Sequence, residues 1–511
     1  MKGIREVLHG KDVLVTGGSG FMGKVLLEKL MRATNVRRIY LVIRSKRGLS
    51  PQTRINEMIK LPVFDLVRKV CPERLKILVP LEGELGQDNI GLSEDQVKHL
   101  EENIFAIFNF AASLKLEDPL KTLVTINTVA TLKLLEMACK FKKLKAFVHL
   151  STAFCHCEEE ILEEKLYEPP ANPMDVIATI SWMDHDAADK ITPSLLGPHP
   201  NCYTYTKRLA EGLMKEFGSK IPIVIVRPSI VTPAMEEPCK GWVDSLNGPM
   251  GVLVAGAKGI LRSMICSKDN RAEVIPVDIA INGVIVSAWK RCITEIGDGE
   301  VEVYNLSAGE IEPVTWGNVL ELGKSTLKKY PLDCGLWYPG GTIRTNPYTH
   351  ALIVFFCQLV PAYVIDFIFL LVRQKRFMVR VQERIRLGSK LLQYFTMKQW
   401  TFKVDRFMAI FNEIPQDEKD IFYTINILYS LEDYMRDCIL GARLFLMKEP
   451  LSDLPKARRQ LIMMWWLEKV VQAVIVGFIG WFLYSYIPFI QVFFDDVIAT
   501  AQLHTKQITV K

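Results

Sequence analysis

The chain lacks a cysteine framework, a low-complexity tract, an internal repeat and a strong excess of one charge. Its 11 cysteines are scattered and odd in number, and most, like Cys139 and Cys357, sit in apolar surroundings. That excludes a disulfide-stapled scaffold and suits reduced thiols on the cytosolic side of a membrane. Cys155-His156-Cys157 comes without a second ligand pair, so no metal site is expected. The formal net charge of +6 is too small to imply a nucleic-acid partner. Met1 to Lys11 is polar and leads straight into the first predicted strand, so no secretory signal is expected there.

What is present is length and apolar content. A chain of 511 residues, 49% hydrophobic, predicts two or three units with a large core. Strand patterns at Asp12–Thr16, Arg38–Ile43, Lys76–Leu81, Ile104–Phe110, Ala146–Leu150 and Ile221–Val226 alternate with helical ones at Gly23–Arg32 and Leu120–Lys140. Such alternation argues for βαβ units and a doubly wound parallel sheet. The prolines between Glu158 and Pro200 predict an irregular insertion, placed to cover a substrate entrance. A loop-forming cluster at Tyr338-Pro339-Gly340-Gly341 predicts a boundary. The reading is an α/β Rossmann domain over 1–340, a mainly helical domain over 341–460, and a membrane anchor and tail over 461–511.

Gly17, Gly20 and Gly23 form G-x-x-G-x-x-G after the first strand and at the start of a helix, with Phe21 between them. A dinucleotide pyrophosphate needs such a turn: glycine conformations, close backbone approach and helix amides aimed at the anion. An NAD-selective site would carry an acid about 20 residues further on. Here the second strand runs into Ile43-Arg44-Ser45-Lys46-Arg47. A guanidinium at Arg44 suits a 2′-phosphate, which points to NADPH. Phe110-Ala111-Ala112-Ser113 follows the fourth strand, where Ala111 and Ala112 let backbone approach the adenosine side.

Tyr203 and Lys207 stand four apart, on one face if helical. A lysine ammonium near a phenol favours the phenolate and can hold the nicotinamide ribose. Tyr203 is then the proton donor to a carbonyl oxygen that receives hydride on its carbon. Tyr205 competes, but Leu209 stands four residues beyond it. Thr152, or else Ser151, is the expected hydroxyl partner. Arg227 and Pro228 close the next strand, where backbone would meet the nicotinamide; Arg227 is equally readable as structural. Asn127 either polarises a water behind Lys207 or stabilises a helix bend.

Val470 to Ile490 is almost wholly apolar and long enough to span a bilayer. Lys456, Arg458, Arg459 and Lys469 precede it, which places the bulk of the protein in the cytosol. Ala351 to Val372 is a second apolar run carrying Gln358, Pro361 and Asp366. It reads as an interfacial or re-entrant element, or a helix pair broken at Pro361, with a second span left open. Arg373, Lys375, Arg376, Arg380, Arg384, Arg386 and Lys390 face one acid, Glu383. That cluster suits an anionic membrane surface or ligand phosphates, or is a solvated helix face.

Several stretches together resemble the alcohol-forming fatty acyl-CoA reductases, members of the extended short-chain dehydrogenase/reductase superfamily, over nearly the whole chain. They are Thr16–Lys24, Ser151-Thr152-Ala153, Tyr203–Lys207, Val226–Val231, Lys240–Pro249, Tyr394-Phe395-Thr396 and Gly441-Ala442-Arg443. The chain departs from that pattern at Gly83-Glu84, where Gly-Asp is usual, and at Cys239-Lys240, where an aromatic-proline pair is frequent. The resemblance implies reduction of a long-chain acyl-CoA to a primary alcohol through an aldehyde, with two NADPH consumed and CoA released. It implies an intracellular membrane, of the endoplasmic reticulum or peroxisome, although Thr509-Val510-Lys511 is no peroxisomal address. A homo-oligomer is left open. The rivals are a membrane-associated sterol or sugar-nucleotide enzyme of the same superfamily, a thioester reductase acting on a carrier protein, and a non-enzymatic scaffold that kept the nucleotide fold.

Overall fold

Seven parallel strands make the central sheet of the computed structural model, which describes residues 2–295, 300–333, 335–424, 430–486, 492–493 and 495–499. In chain order they are β1 (Asp12–Thr16), β2 (Arg38–Val42), β3 (Leu78–Leu81), β4 (Ile104–Asn109), β5 (Ala146–Leu150), β6 (Ile223–Pro228) and β7 (Glu302–Leu306). Their order across the sheet is β3-β2-β1-β4-β5-β6-β7. The winding reverses between β1 and β4, where Thr16 pairs with Asn109. In such sheets the ligand crevice opens at the carboxyl ends of the strands beside that reversal.

Alternation along the strands feeds two apolar layers. Val13 and Val15 enter one, with the Phe21–Ala33 and Val277–Ile293 helices; Leu14 enters the other, with Leu134, Leu135 and Leu213. Burial on both faces is why these strands read as continuous apolar runs. Truncating a fully buried residue such as Leu14 would cost about 2–5 kcal/mol.

The structure differs from the sequence reading at four places. The sheet has a seventh strand, Glu302–Leu306, at its edge beside β6. The 158–200 insertion is largely helical, at Pro173–Trp182 and His185–Leu196. Pro173 starts its helix rather than breaking it, behind Asn172, whose side chain accepts from the Met174 amide. The long helix from Leu120 carries a π turn at Val124–Val129 and ends at Ala138. Finally, Pro361 does not split the apolar helix. A π turn at Phe355–Leu359 precedes it and absorbs the missing donor, so the helix runs unbroken over Pro347–Leu371.

Segments assigned to the C-terminal unit pack into the first apolar layer through Phe407, Ile410, Phe411, Ile414 and Phe422. Thr401–Phe402 pairs in parallel with Ile161–Leu162. The Glu418 carboxylate accepts the backbone amides of Ile4, at 2.6 Å, and Arg5, at 3.0 Å. Among the described residues, two helices are long and apolar enough to cross a membrane: Pro347–Leu371, mean hydropathy 2.2, and the helix within Leu451–Tyr486, mean hydropathy 1.6.

Candidate active site

The turn after β1 is shaped by backbone contacts that side chains would block. Gly17 has φ of 69°, and a Cβ there would lie 2.6 Å from the Ala111 amide nitrogen. A Cβ on Gly23 would meet the Gly17 carbonyl oxygen at 2.4 Å. Gly20 is the N-cap of the Phe21–Ala33 helix, so the first amides of that helix face the turn. Thr16 Oγ1 donates to Asn109 at 2.8 Å and accepts from the Ala111 amide at 3.2 Å, fixing the β4 loop against the glycines. Phe21 stacks on Trp242, with ring centroids 5.2 Å apart. The Trp242 loop is held in turn by the Leu431–Gly441 helix, since Gly241 and Gly441 meet backbone to backbone and a Cβ on either would clash.

These elements wall a cavity of about 570 Å³. The glycine turn lines it, with Phe21, Ala111 and Ala112. Arg44 and Lys46 line it from the β2 loop, as does Arg54. Ser151, Thr152, Tyr203, Lys207 and Pro228 line it from the ends of β5 and β6 and from the Cys202–Phe217 helix. A glycine cradle, helix amides and cations in one crevice fit a nicotinamide dinucleotide.

Asn201 caps the Cys202–Phe217 helix by accepting from the Thr204 amide at 3.0 Å. Tyr203 and Lys207 therefore fall one turn apart and both reach the cavity. The Thr152 hydroxyl stands beside the Tyr203 phenol and favours its ionised form. Ser151 Oγ instead lies 3.6 Å from Cys155 Sγ, so Thr152 is the hydroxyl paired with the phenol. Lys207 Nζ donates to the Leu150 carbonyl oxygen at 2.6 Å. This alters the electrostatic expectation. Burial pushes the Tyr203 phenol up, with the buried Cys155 beside it adding to the shift and the Thr152 hydroxyl opposing it. Burial pushes Lys207 down to about 8. The ammonium is held by a strand-end carbonyl and does not acidify the phenol in this state.

The Arg227 side chain takes the structural of its two expected roles. Its side chain is fully buried and outside the cavity lining, while Pro228 lines it. Arg227 donates to the two Glu211 carboxylate oxygens at 2.9 and 2.6 Å. His156 Nε2 lies 2.9 Å from the same carboxylate. Burial alone would raise the Glu211 carboxyl, but Arg227 and His156 hold it well below the usual range. Cys155, His156 and Glu211 bring their donor atoms within 4.8 Å of one another, yet the carboxylate a cation would need already carries Arg227. Asn127 sits in the π turn and ties two site segments together. Its Oδ1 accepts from the Ser113 amide at 2.8 Å, and its Nδ2 donates to Thr206 Oγ1 at 3.1 Å.

Arg54 was not anticipated. It belongs to the Pro51–Met58 helix and donates to the Arg44 carbonyl oxygen at 2.5 Å. Its only sequence signal is the Ser50-Pro51 helix start just past the basic loop. Arg44 lies 3.6 Å from Glu84, but both are exposed, and such a surface pair contributes little.

Two family models, both described as male sterility protein, match the chain: an NAD-binding one over residues 15–284 and a second over residues 357–449. Fatty acyl-CoA reductase 1 of Xenopus laevis is 35% identical over 463 residues, covering 90% of this chain and 89% of that protein. Fatty acyl-CoA reductase 2 of Bos taurus is 33% identical over the same shares. Among solved structures, the reductase domain of a nonribosomal peptide synthetase from Mycobacterium tuberculosis matches with TM-score 0.58 at 16% identity, covering 86% of this chain and 92% of that one. The terminal reductase domain of the myxalamid pathway matches with TM-score 0.57 at 18% identity, covering 85% and 90%. These two share the fold. With the sheet, the glycine cradle and full-length relatives in agreement, the chain belongs to the fatty acyl-CoA reductase family of oxidoreductases.

Proposed function

We propose that the protein reduces long-chain fatty acyl-CoA to the primary alcohol, using two NADPH and releasing CoA, at an intracellular membrane of the endoplasmic reticulum or peroxisome with its catalytic part in the cytosol. What carries the reading is the meeting of Tyr203, Thr152 and Lys207 with the glycine turn in one cavity. Gly17, Gly20, Gly23 and the first amides of the following helix would hold the pyrophosphate, and Arg44 with Arg54 the 2′-phosphate. When bound, the nicotinamide supplies hydride to an acyl carbonyl carbon.

The chain's residues manage the oxygen. Tyr203 Oη, oriented by Thr152, donates a hydrogen bond and then a proton to the oxygen as it gains negative charge. A phenol kept protonated by burial is poised for that donation. Lys207, held on the Leu150 carbonyl, supplies positive charge one helical turn away. From a thioester, the oxyanion is held by the Tyr203 hydrogen bond without keeping a proton; as it re-forms the carbonyl the C–S bond breaks and CoA leaves as the thiolate, giving an aldehyde. From the aldehyde, proton transfer from Tyr203 yields the alcohol. Thioester to alcohol takes four electrons, which matches two hydrides.

The test is product analysis: membranes bearing the protein, incubated with NADPH and acyl-CoAs of several chain lengths, should form alcohol and free CoA. Aldehyde as the sole product would reject the second reduction. No product beyond control membranes would reject the reading.

A further inference from the structure

The helix Pro347–Leu371 is built inside out. Gln358, Ala362 and Asp366, spaced by four, are its buried stripe. Gln358 accepts the amides of Arg262 and Ser263 at 2.8 and 3.1 Å and donates to Gln382 at 3.1 Å. Asp366 accepts three backbone amides, from Phe377 and Met378 at 2.9 Å and Val379 at 3.0 Å. It thereby caps the Met378–Met397 helix. The outer face is apolar: Leu352, Phe355, Phe356, Tyr363, Phe367 and Leu371 are all exposed, Phe356 at 63%. Polar groups inside and large apolar groups outside is the arrangement of a helix facing lipid.

Length and hydropathy alone would let this helix cross a bilayer, but its partner argues against that. The Met378–Met397 helix packs back along it and is fastened to the body of the protein. Gln382 donates to the Ile260 carbonyl oxygen, and Thr396 to that of Ile265, both at 3.0 Å. The returning helix exposes Arg380, Arg384, Arg386 and Lys390, and the connecting turn exposes Arg373, Lys375 and Arg376. A crossing would carry the turn through the bilayer and leave the returning cations in hydrocarbon, a costly placement. A second copy of the chain is a poor occupant, because two such basic faces would repel. An anionic leaflet satisfies both halves, taking the aromatic face into its acyl boundary and the cations among its headgroups.

We propose that residues 347–397 form a monotopic hairpin that lies on an anionic leaflet, as a second membrane contact beside the C-terminal helix. The proposal rests on the membrane reading given above.

The test uses the full chain in phosphatidylserine-containing vesicles, with an environment-sensitive fluorescent amino acid at position 367, 375 or 478. Shallow spin-labelled lipids should quench position 367 at least twofold. Aqueous iodide added outside should quench position 375. The variant R376E/R380E/R384E, and vesicles of phosphatidylcholine alone, should each at least halve the lipid quenching at 367. Equal quenching without anionic lipid, no lipid quenching at 367, or a position 375 shielded from outside iodide would overturn the hairpin. Position 478, in the C-terminal helix, separates the two failures. Lipid quenching at 478 without quenching at 367 sinks the hairpin alone, whereas none at either site sinks the membrane reading with it.

Discussion

Lys207 Nζ and the Leu150 carbonyl oxygen are 2.6 Å apart, which fastens the helix bearing Tyr203 to the strand end that bears Thr152. Burial has brought this lysine down to about 8. Its ammonium is therefore present below that pH and lost above it. The free enzyme's kcat/KM should be flat below pH 8 and fall towards tenfold per unit above it. In Lys207→Arg, which stays charged, that alkaline limb should vanish. Because the unfolded lysine binds its proton up to about 10.5, stability should rise between pH 8 and 10.5 in the wild type and not in Lys207→Met.

Tyr203→Phe removes the proton donor and keeps the ring. A general acid contributes roughly 10²–10⁴-fold, so kcat should fall by at least about 10² with cofactor binding retained. Thr152→Val should lose less, since the phenol survives. Steady-state kinetics beside a cofactor fluorescence titration would check both.

Arg44→Asp should reverse cofactor choice. A hydrogen bond to a charged group contributes about 1.5–3 kcal/mol, so the NADPH to NADH ratio of kcat/KM should drop at least about tenfold. Arg54→Ala should move it the same way by less. A wild-type enzyme that prefers NADH would reject the assignment.

Gly17→Ala should abolish cofactor binding while leaving much of the fold. Its φ of 69° and the 2.6 Å approach to Ala111 force the turn to move. Loss of binding in calorimetry, with circular dichroism retained, is the expected result.

Glu211→Ala should cost stability more than chemistry. It strands the fully buried Arg227 guanidinium, a loss of about 3–5 kcal/mol. The melting temperature should fall by several degrees, and Glu211→Gln should recover part of it.

Where one segment carried its own signal, the sequence was readable. β1, the glycine turn and β5 lie at or within a residue of their expected places, because apolar runs and glycines act locally. β7 was missed because Glu302 and Asn305 interrupt its apolar run, and its burial comes from β6 and the C-terminal helices. Arg54 could not be found by spacing, since a loop and a helix bring it back to Arg44. Arg227 was ambiguous because its partner, Glu211, lies on another element, and only packing joins them. A break at Pro361 stood among the alternatives because the π turn just before it leaves no mark in composition.

The shared packing of Phe407, Phe411 and Phe422 with β1, and the Glu418 grip on the first amides of the chain, decide where the chain can be shortened. Ending it at Gly340 would strip the sheet of one wall and leave aromatic surface bare. Ending it after Lys469 keeps Ala457 seated and the Arg262–Glu468 ion pair made, and removes the greasy remainder of the last helix together with the tail that follows it. Crystallisation or cryo-microscopy of the catalytic body should begin from that longer piece.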